Sequence, residues 1–256
     1  MKSPKISKNT GNFVLPDTSL CAIVRDEMMN PAGGIERFVN AHVPYVEEAI
    51  IADTGSVDGT REKLEELQGK YSNLRVVDIP FEDYASARNE SLVHVRTKRA
   101  LILDADELLT HDKPQNDWQI LKEIIEEQRH SIYSFEFLTI SPSGKDYNQL
   151  NVHNKRLFNV NHFSNREIFM GEFWESLSYM SKGHKVHSVQ IKHFVPSNED
   201  TEKKHDNWYL ALETNSVKER DALMAKRLKL WKQTSPSQIE GFNDWKQYNP
   251  IRDNYI

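Results

Sequence analysis

Between Ser19 and Asp106 the chain repeats one unit three times and begins a fourth: a short apolar run, a polar cluster, then a segment with helical spacing. SLCAIV ends at Arg25-Asp26-Glu27 and is followed by IERFVNAHV (35–43). EEAIIAD (47–53) leads through TGSVDG into TREKLEELQGKY. NLRVVDIP (73–80) precedes DYASARNESLVHVR (83–96), and RALILDAD, from Arg99, is the fourth apolar run. Strands alternating with helices at this spacing predict a parallel sheet wrapped by helices. In such a sheet, ligands bind outside the carboxyl ends of the strands. Arg25-Asp26-Glu27, Asp53-Thr54-Gly55-Ser56 and Asp104-Ala105-Asp106 all fall at those ends.

After Asp112 the rhythm changes. NDWQILKEIIEEQ (116–128) reads as a helix, and SIYSFEFLTI, HNKRLFNV and HKVHSVQIKHFV (184–195) as longer strands. Residues 203–232 read as an amphipathic helical segment, with Leu210, Val217, Met224, Leu228 and Trp231 on one face. Residues 1–17 are polar and read as a flexible tail, and the stretch after Thr234 has no periodicity. The expected class is therefore α/β: one domain with a mainly parallel central sheet flanked by helices, a mixed second half and a C-terminal helical segment.

Net charge is −5 and the pI about 6.1, so no global basic field points to nucleic acid, and no nucleic-acid partner is expected. The single cysteine, Cys21, leaves no internal disulfide framework or Cys-rich zinc site and fits a reducing compartment. The N-terminal MKSPKISKNTGNFVLP lacks the apolar run of a signal peptide. No segment approaches the roughly 18 apolar residues that span a bilayer. The expectation is a cytoplasmic protein, attached at most to a membrane surface. Lys218, Arg220, Lys226, Arg227, Lys229 and Lys232 form a basic helix face, diluted by Glu213, Glu219 and Asp221. It reads as a solvated face or as a peripheral contact with anionic lipid.

DTGSVDGT (53–60) joins a strand to a helix, with glycines for tight geometry and Ser56 or Asp58 to cap. A calcium-loop reading fails, because Val57 and Asp58 stand where such a loop needs a ligand and a glycine. Asp53 suits a base N–H or a ribose hydroxyl. Ala85, Arg88, Leu92 and Val95 share one helix face, so Arg88 interrupts a core-facing stripe. It reads either as a snorkelling arginine or as a guanidinium aimed at a phosphate or carboxylate. Strand alternation places Asp104 and Asp106 on the same side. Two hard oxygen ligands there suit magnesium or manganese bound jointly with a diphosphate, against the plainer reading of a solvated acidic loop. His193 shares a face with Val189, Ile191 and Val195, and is either a satisfied core histidine or a ligand. His184 and His187 lack the Cys or HExxH context of a zinc site.

CAIVRDE, IIADTGSVDGTREKLEEL, FEDYASARNESL and ALILDADELL, followed by KRLFNV, GEFWESL, VQIKHF and the WYLALE segment, resemble in order and spacing the family 2 glycosyltransferases of the GT-A fold. The resemblance covers about residues 19–232. It implies a nucleotide-sugar donor, a UDP-sugar foremost, a divalent metal (manganese or magnesium), and a glycan, glycolipid or protein acceptor, as in the building of cell-surface polysaccharide. It implies donor contacts from Asp26 and Glu27, from Asp53 and Thr54 to the nucleoside, from Arg88 to base or diphosphate, and from Asp104 to ribose or metal. Asp106 and His193, with Asp104, would hold the metal. Glu175, in GEFWESL, stands where this branch has a carboxylate after a histidine and is the expected general base, with Glu136 and Glu172 in reserve. Trp174 replaces the histidine and offers a flat face for stacking on a sugar.

On that resemblance the chain divides into a tail (1–17), a nucleotide-sugar-binding half (18–112), an acceptor-binding half (113–200) and a C-terminal helical segment and tail (201–256). Family membership implies inversion at the anomeric carbon. Two other readings compete. ALILDADEL also resembles the first motif of aspartate-nucleophile phosphatases, but Glu107 follows where Thr or Val is wanted, and the run is the fourth strand instead of the first. A non-catalytic module binding nucleotide or glycan would keep the pocket without a working base.

Overall fold

The computed structural model describes residues 15–28, 30, 34–109, 116–127, 129–140, 146–147, 153–163, 168–170, 176–177 and 183–194. The elements run β1 (Leu15–Val24), α1 (Ile35–His42), β2 (Val46–Asp53), α2 (Thr60–Lys70), β3 (Leu74–Asp78), α3 (Tyr84–Val93), β4 (Arg99–Ile102) and β5 (Glu107–Leu108). There follow α4 (Asp117–Glu127), β6 (Ile132–Ile140), β7 (Asp146–Tyr147), β8 (His153–Asn159), β9 (Phe169–Met170), β10 (Ser176–Leu177) and β11 (His184–Phe194).

One sheet takes the order β3-β2-β1-β4-β8-β6-β11-β5, with β7 on β6, while β9 and β10 pair separately. β1 to β4 are mutually parallel. From β4 outward the pairing is mixed: β8 is antiparallel to both β4 and β6, and β11 is parallel to β6. The chain winds outward through β1, β2 and β3, then returns past β1 to place β4 on its other side. The carboxyl ends of β1 and β4 therefore flank a topological switch point, where open α/β sheets bind ligands.

The apolar runs are continuous because both faces of the sheet are covered. From β1, Leu20, Ala22 and Val24 pack with Phe38, Leu64 and Trp118, while Cys21 and Ile23 face the other layer, with Ala85, Ala87 and Leu92 of α3. Each large side chain buried this way contributes about 1.5–3 kcal/mol.

Within the described residues the expected elements form, with displaced ends. β1 starts at Leu15, four residues ahead of its apolar run, and α3 stops at Val93. The larger difference is at β4, which ends at Ile102 instead of running through Asp106. Residues 104–107 form a turn instead, closed by the Glu107 amide donating to the Asp104 carbonyl (2.9 Å). Alternation along a strand therefore does not orient the two aspartates. The 203–232 segment, with the basic face and WYLALE, lies outside the described residues, as do Glu172, Trp174 and Glu175. Among the described residues, no helix is long and apolar enough to cross a membrane.

Candidate functional site

At the end of β2, Asp53 is buried, and its Oδ1 accepts the amides of Gly55 (2.9 Å) and Ser56 (2.9 Å). That fold-back needs the left-handed backbone of Gly55 (φ 100°), which favours glycine. The other oxygen, Oδ2, is buried with no hydrogen-bond partner. Thr54 is also buried; its hydroxyl donates to the Val24 carbonyl (3.1 Å), and its own carbonyl accepts from Arg25 (3.0 Å), locking the ends of β1 and β2 together.

Asp26 projects from the end of β1 in left-handed backbone (φ 54°). Its Oδ1 accepts the Val57 amide (2.8 Å), and its amide donates to Ser56 Oγ (3.0 Å). Burial pushes its carboxyl up to about 6, with Asp58 and Asp53 adding to the rise against the Val57 amide and Arg25. Glu27 is buried and accepts from Asn30 (2.9 Å). Ser56 is thus used on Asp26, while Asp58 receives the Thr60 amide (2.9 Å) at the start of α2. The first two polar clusters meet at one edge.

Burying the charges that end β4 without partners would be costly, and arginines supply the partners. Arg88, buried on α3, bonds Asp104 Oδ1, and Arg156 on β8 reaches Asp104 Oδ2 (3.2 Å) and bonds Glu107 Oε1. Glu107 is buried and also accepts the Asp104 amide on Oε2 (3.0 Å). Arg88 is therefore not a snorkelling side chain. It is the inner half of an ion pair. Burial disfavours the Asp104 anion, but Arg88 and Arg156 together more than offset this and hold its carboxyl well below the usual range. Burial, aided by Asp104 and Asp106, pushes Glu107 up against the pull of Arg156.

The rest of the turn is pinned from three sides. Arg37 of α1 donates to the Ala105 carbonyl (3.3 Å) with its guanidinium 4.7 Å from the Phe194 ring centroid. The Phe194 amide donates to the Asp106 carbonyl (2.9 Å), and the Leu109 amide donates to His42 Nε2 (3.1 Å). Pairing of β5 with β11 sets His193 opposite Glu107, and His193 Nε2 lies 3.8 Å from Asp106 Oδ1. His193 is half-buried, its ring edge-on to Phe137.

Asp104 and Asp106 therefore part company: one faces the arginines, the other His193. Among the described residues no three His, Cys, Asp or Glu side chains converge as a ready-made metal cage. A carboxylate oxygen and an imidazole nitrogen 3.8 Å apart nevertheless fit two adjacent ligands of a magnesium or manganese ion. Such ions take only one or two protein groups, plus substrate phosphates. Asp104 fits less well, since both its oxygens already meet guanidinium groups.

Glu136 lies on β6, bonded to Gln190 (3.0 Å). Arg156 and Arg37 hold the turn in ways that the sequence pattern does not assign. Arg156 stands in KRLFNV, where strand spacing alone does not single it out.

No curated protein matches the sequence. The structure is similar to that of S. aureus TarS 1–349 in complex with UDP, with TM-score 0.52 and 12% identity over 86% of this chain and 73% of that one. It is similar also to the TarS 1–349 complex with UDP-GlcNAc, with TM-score 0.50 and 13% identity over 86% and 74% of the two chains. These likenesses show a shared GT-A architecture. The sequence profile described as glycosyl transferase family 2 matches residues 33–196, well over half of the chain and spanning Asp53, Arg88, the 104–107 turn and His193. The chain belongs to glycosyl transferase family 2.

Proposed function

We propose that the protein transfers a sugar from UDP to a hydroxyl of a glycan, glycolipid or protein acceptor, with inversion at the anomeric carbon. The observation that carries this reading is the Asp53 carboxylate: one oxygen saturated by two amides, the other buried and without a partner at the switch point. An unmet buried acceptor costs about 1–3 kcal/mol, which a donor from a ligand recovers. The N3–H of uracil, flanked by two carbonyls, is such a donor. TarS in complex with UDP and UDP-GlcNAc supports the choice of base.

In this reading Asp26, Glu27 and Thr54 shape the nucleoside end of the pocket. Arg88 and Arg156 neutralise carboxylate charge at the 104–107 turn, which lowers its repulsion of the departing diphosphate. Asp106 and His193 would hold a divalent ion, which when bound supplies Lewis-acid neutralisation of that diphosphate. Glu175 removes the acceptor proton as the acceptor oxygen attacks the anomeric carbon and the bond to UDP breaks. A phosphatase reading runs against the geometry, because an Asp104 clasped by two arginines is a poor nucleophile.

Thermal unfolding with UDP, CDP or GDP, each with and without manganese, tests the proposal. A ligand that binds the native state raises apparent stability. UDP with manganese should raise the midpoint most. Equal responses to all three nucleotides, or none, would remove the proposal. Hydrolysis of UDP-GlcNAc by wild type but not by Glu175→Gln separates the enzyme from a binding module.

A further inference from the structure

Asp106 and His193 meet across the edge of the sheet. β5, which follows Asp106, is the outermost strand and two residues long, with Glu107 opposite His193 and Leu108 opposite Lys192 of β11. Strands usually run roughly three to ten residues, so this pairing sets the register but holds the turn weakly. Two arginines from other elements complete the attachment, and both do it in the same way. Arg37 of α1 donates to the carbonyl of Ala105 (3.3 Å), one residue before Asp106. Its guanidinium lies 4.7 Å from the ring centroid of Phe194, one residue after His193. Arg156 of β8 bonds Asp104 Oδ2 (3.2 Å) and Glu107 Oε1, and lies 5.2 Å from the ring centroid of Phe137. Phe137, on β6, stands edge-on to His193 with the centroids 5.9 Å apart. Each guanidinium thus bonds the turn through its N–H groups and lies over a ring beside His193. Both distances fall within the roughly 6 Å over which a ring attracts a cation.

We infer that Arg37 and Arg156 are positioning residues for the divalent ion: together they fix the separation of Asp106 and His193, so that the ion meets ligands already in place. The inference rests on the reading of Asp106 and His193 as those ligands. Magnesium demands near-octahedral geometry while using few protein groups. The placing of those groups therefore falls to the residues around them. Lysine cannot take over this role. An ammonium on a flexible stem lacks the planar fork that bonds a turn and stacks on a ring at once.

The test uses the full chain with Arg37→Lys and Arg156→Lys, which keep the charge, and with Phe137→Leu and Phe194→Leu, which keep both arginines. Manganese binding to the UDP-saturated protein is read by electron paramagnetic resonance of the free ion. UDP binding without metal is read by calorimetry, and stability by urea unfolding. Each lysine variant should weaken manganese binding on the order of 10-fold, the scale for groups that orient metal ligands. The leucine variants should weaken it in the same direction and by less. Metal-free UDP affinity should stay within about twofold, since other residues make the Asp53 edge. A merely structural role would lower the urea midpoint and leave manganese affinity where it was. That result, or a matching loss of metal-free UDP affinity, overturns the inference. Asp106→Asn and His193→Ala separate this from failure of the ligand reading. If they abolish manganese binding while the lysine variants leave it unmoved, the inference falls alone. If wild type binds no manganese, or binds it regardless of those two substitutions, the reading and the inference fall together.

Discussion

Arg88 and Asp104 form an ion pair whose cation is sealed in the protein while its anion still meets solvent: the side chains are 3% and 34% exposed. The two partners are therefore unequal. Removing the carboxylate takes the Asp104 charge from a buried guanidinium and from Arg156 together, a loss of about 3 kcal/mol or more. Removing Arg88 leaves a carboxylate that retains Arg156 and access to water. Asp104→Ala should thus destabilise more than Arg88→Met in urea unfolding. The opposite order would show that Arg88 is not held by Asp104.

Asp53 can be made to choose a different base. In Asp53→Asn the amide oxygen keeps the Gly55 and Ser56 amides, so its NH2 must take the place of Oδ2. That group repels the N3–H of uracil but donates to the unprotonated N3 of cytosine. UDP affinity should fall on the order of 10- to 100-fold and CDP should gain relative to it, the scale of one buried hydrogen bond made or lost. Competition calorimetry with the two nucleotides reads this directly, and an unchanged ratio would place the base elsewhere.

The proposed metal ligands, Asp106 and His193, give a separable outcome. Asp106→Asn and His193→Ala should abolish the increment that manganese adds to UDP affinity while leaving metal-free UDP binding within about twofold, since neither residue lies at the Asp53 edge. Chelation of wild type should reproduce the variants. If chelation and both substitutions leave UDP binding unchanged in manganese-containing buffer, Asp106 and His193 hold no ion.

Much of this arrangement was legible because it follows from pattern. Alternating strands and helices specify the parallel half, and with it the placing of Asp26, Asp53 and Asp104 just beyond the carboxyl ends of their strands. What the sequence could not show depends on pairing between distant segments. Arg156 reaches Asp104 and Glu107 only because β8 turns antiparallel beside β4, and His193 meets Asp106 only through the register of β5 on β11. At the end of β4 the pattern points the wrong way, because LDAD looks like four more strand residues with Asp104 and Asp106 on one side. Glu107 decided otherwise by accepting the Asp104 amide, a local bond that competes with strand continuation.

Asp26 is ionised at a cost. A carboxyl raised to about 6 in the fold, from an ordinary 3.8, binds its proton more tightly there than in the unfolded chain. Stability is therefore lost as pH rises through that window, and the full loss, roughly 2–3 kcal/mol, persists above it. Asparagine tolerates the left-handed backbone at this position and keeps an oxygen for the Val57 amide. Asp26→Asn should therefore be more stable than wild type at pH 7.5, with the gain vanishing near pH 4. A gain that does not depend on pH would assign the effect to something other than the buried charge.

His42 works in the opposite direction. Its ring is fully buried, with Nδ1 donating to the Phe38 carbonyl (2.7 Å) and Nε2 accepting the Leu109 amide (3.1 Å), an arrangement only the neutral ring can make. Burial, with Arg37 adding to it, lowers its pKa to about 3 from 6.5, against the bond to Phe38. The unfolded chain binds this proton first, so the stability it contributes is complete above about 6.5 and is lost as pH falls toward 3, by roughly 5 kcal/mol in all. Because Asp26 slopes the other way between 4 and 6, the measurement belongs in the Asp26→Asn background. There, unfolding free energy should fall steeply with acid, and His42→Gln should flatten the profile while lowering it at neutral pH. A slope that survives the substitution would move the acid sensitivity to another group. A slope that disappears would tie it to the side chain that fixes Leu109, and through Leu109 the turn that presents Asp104 and Asp106.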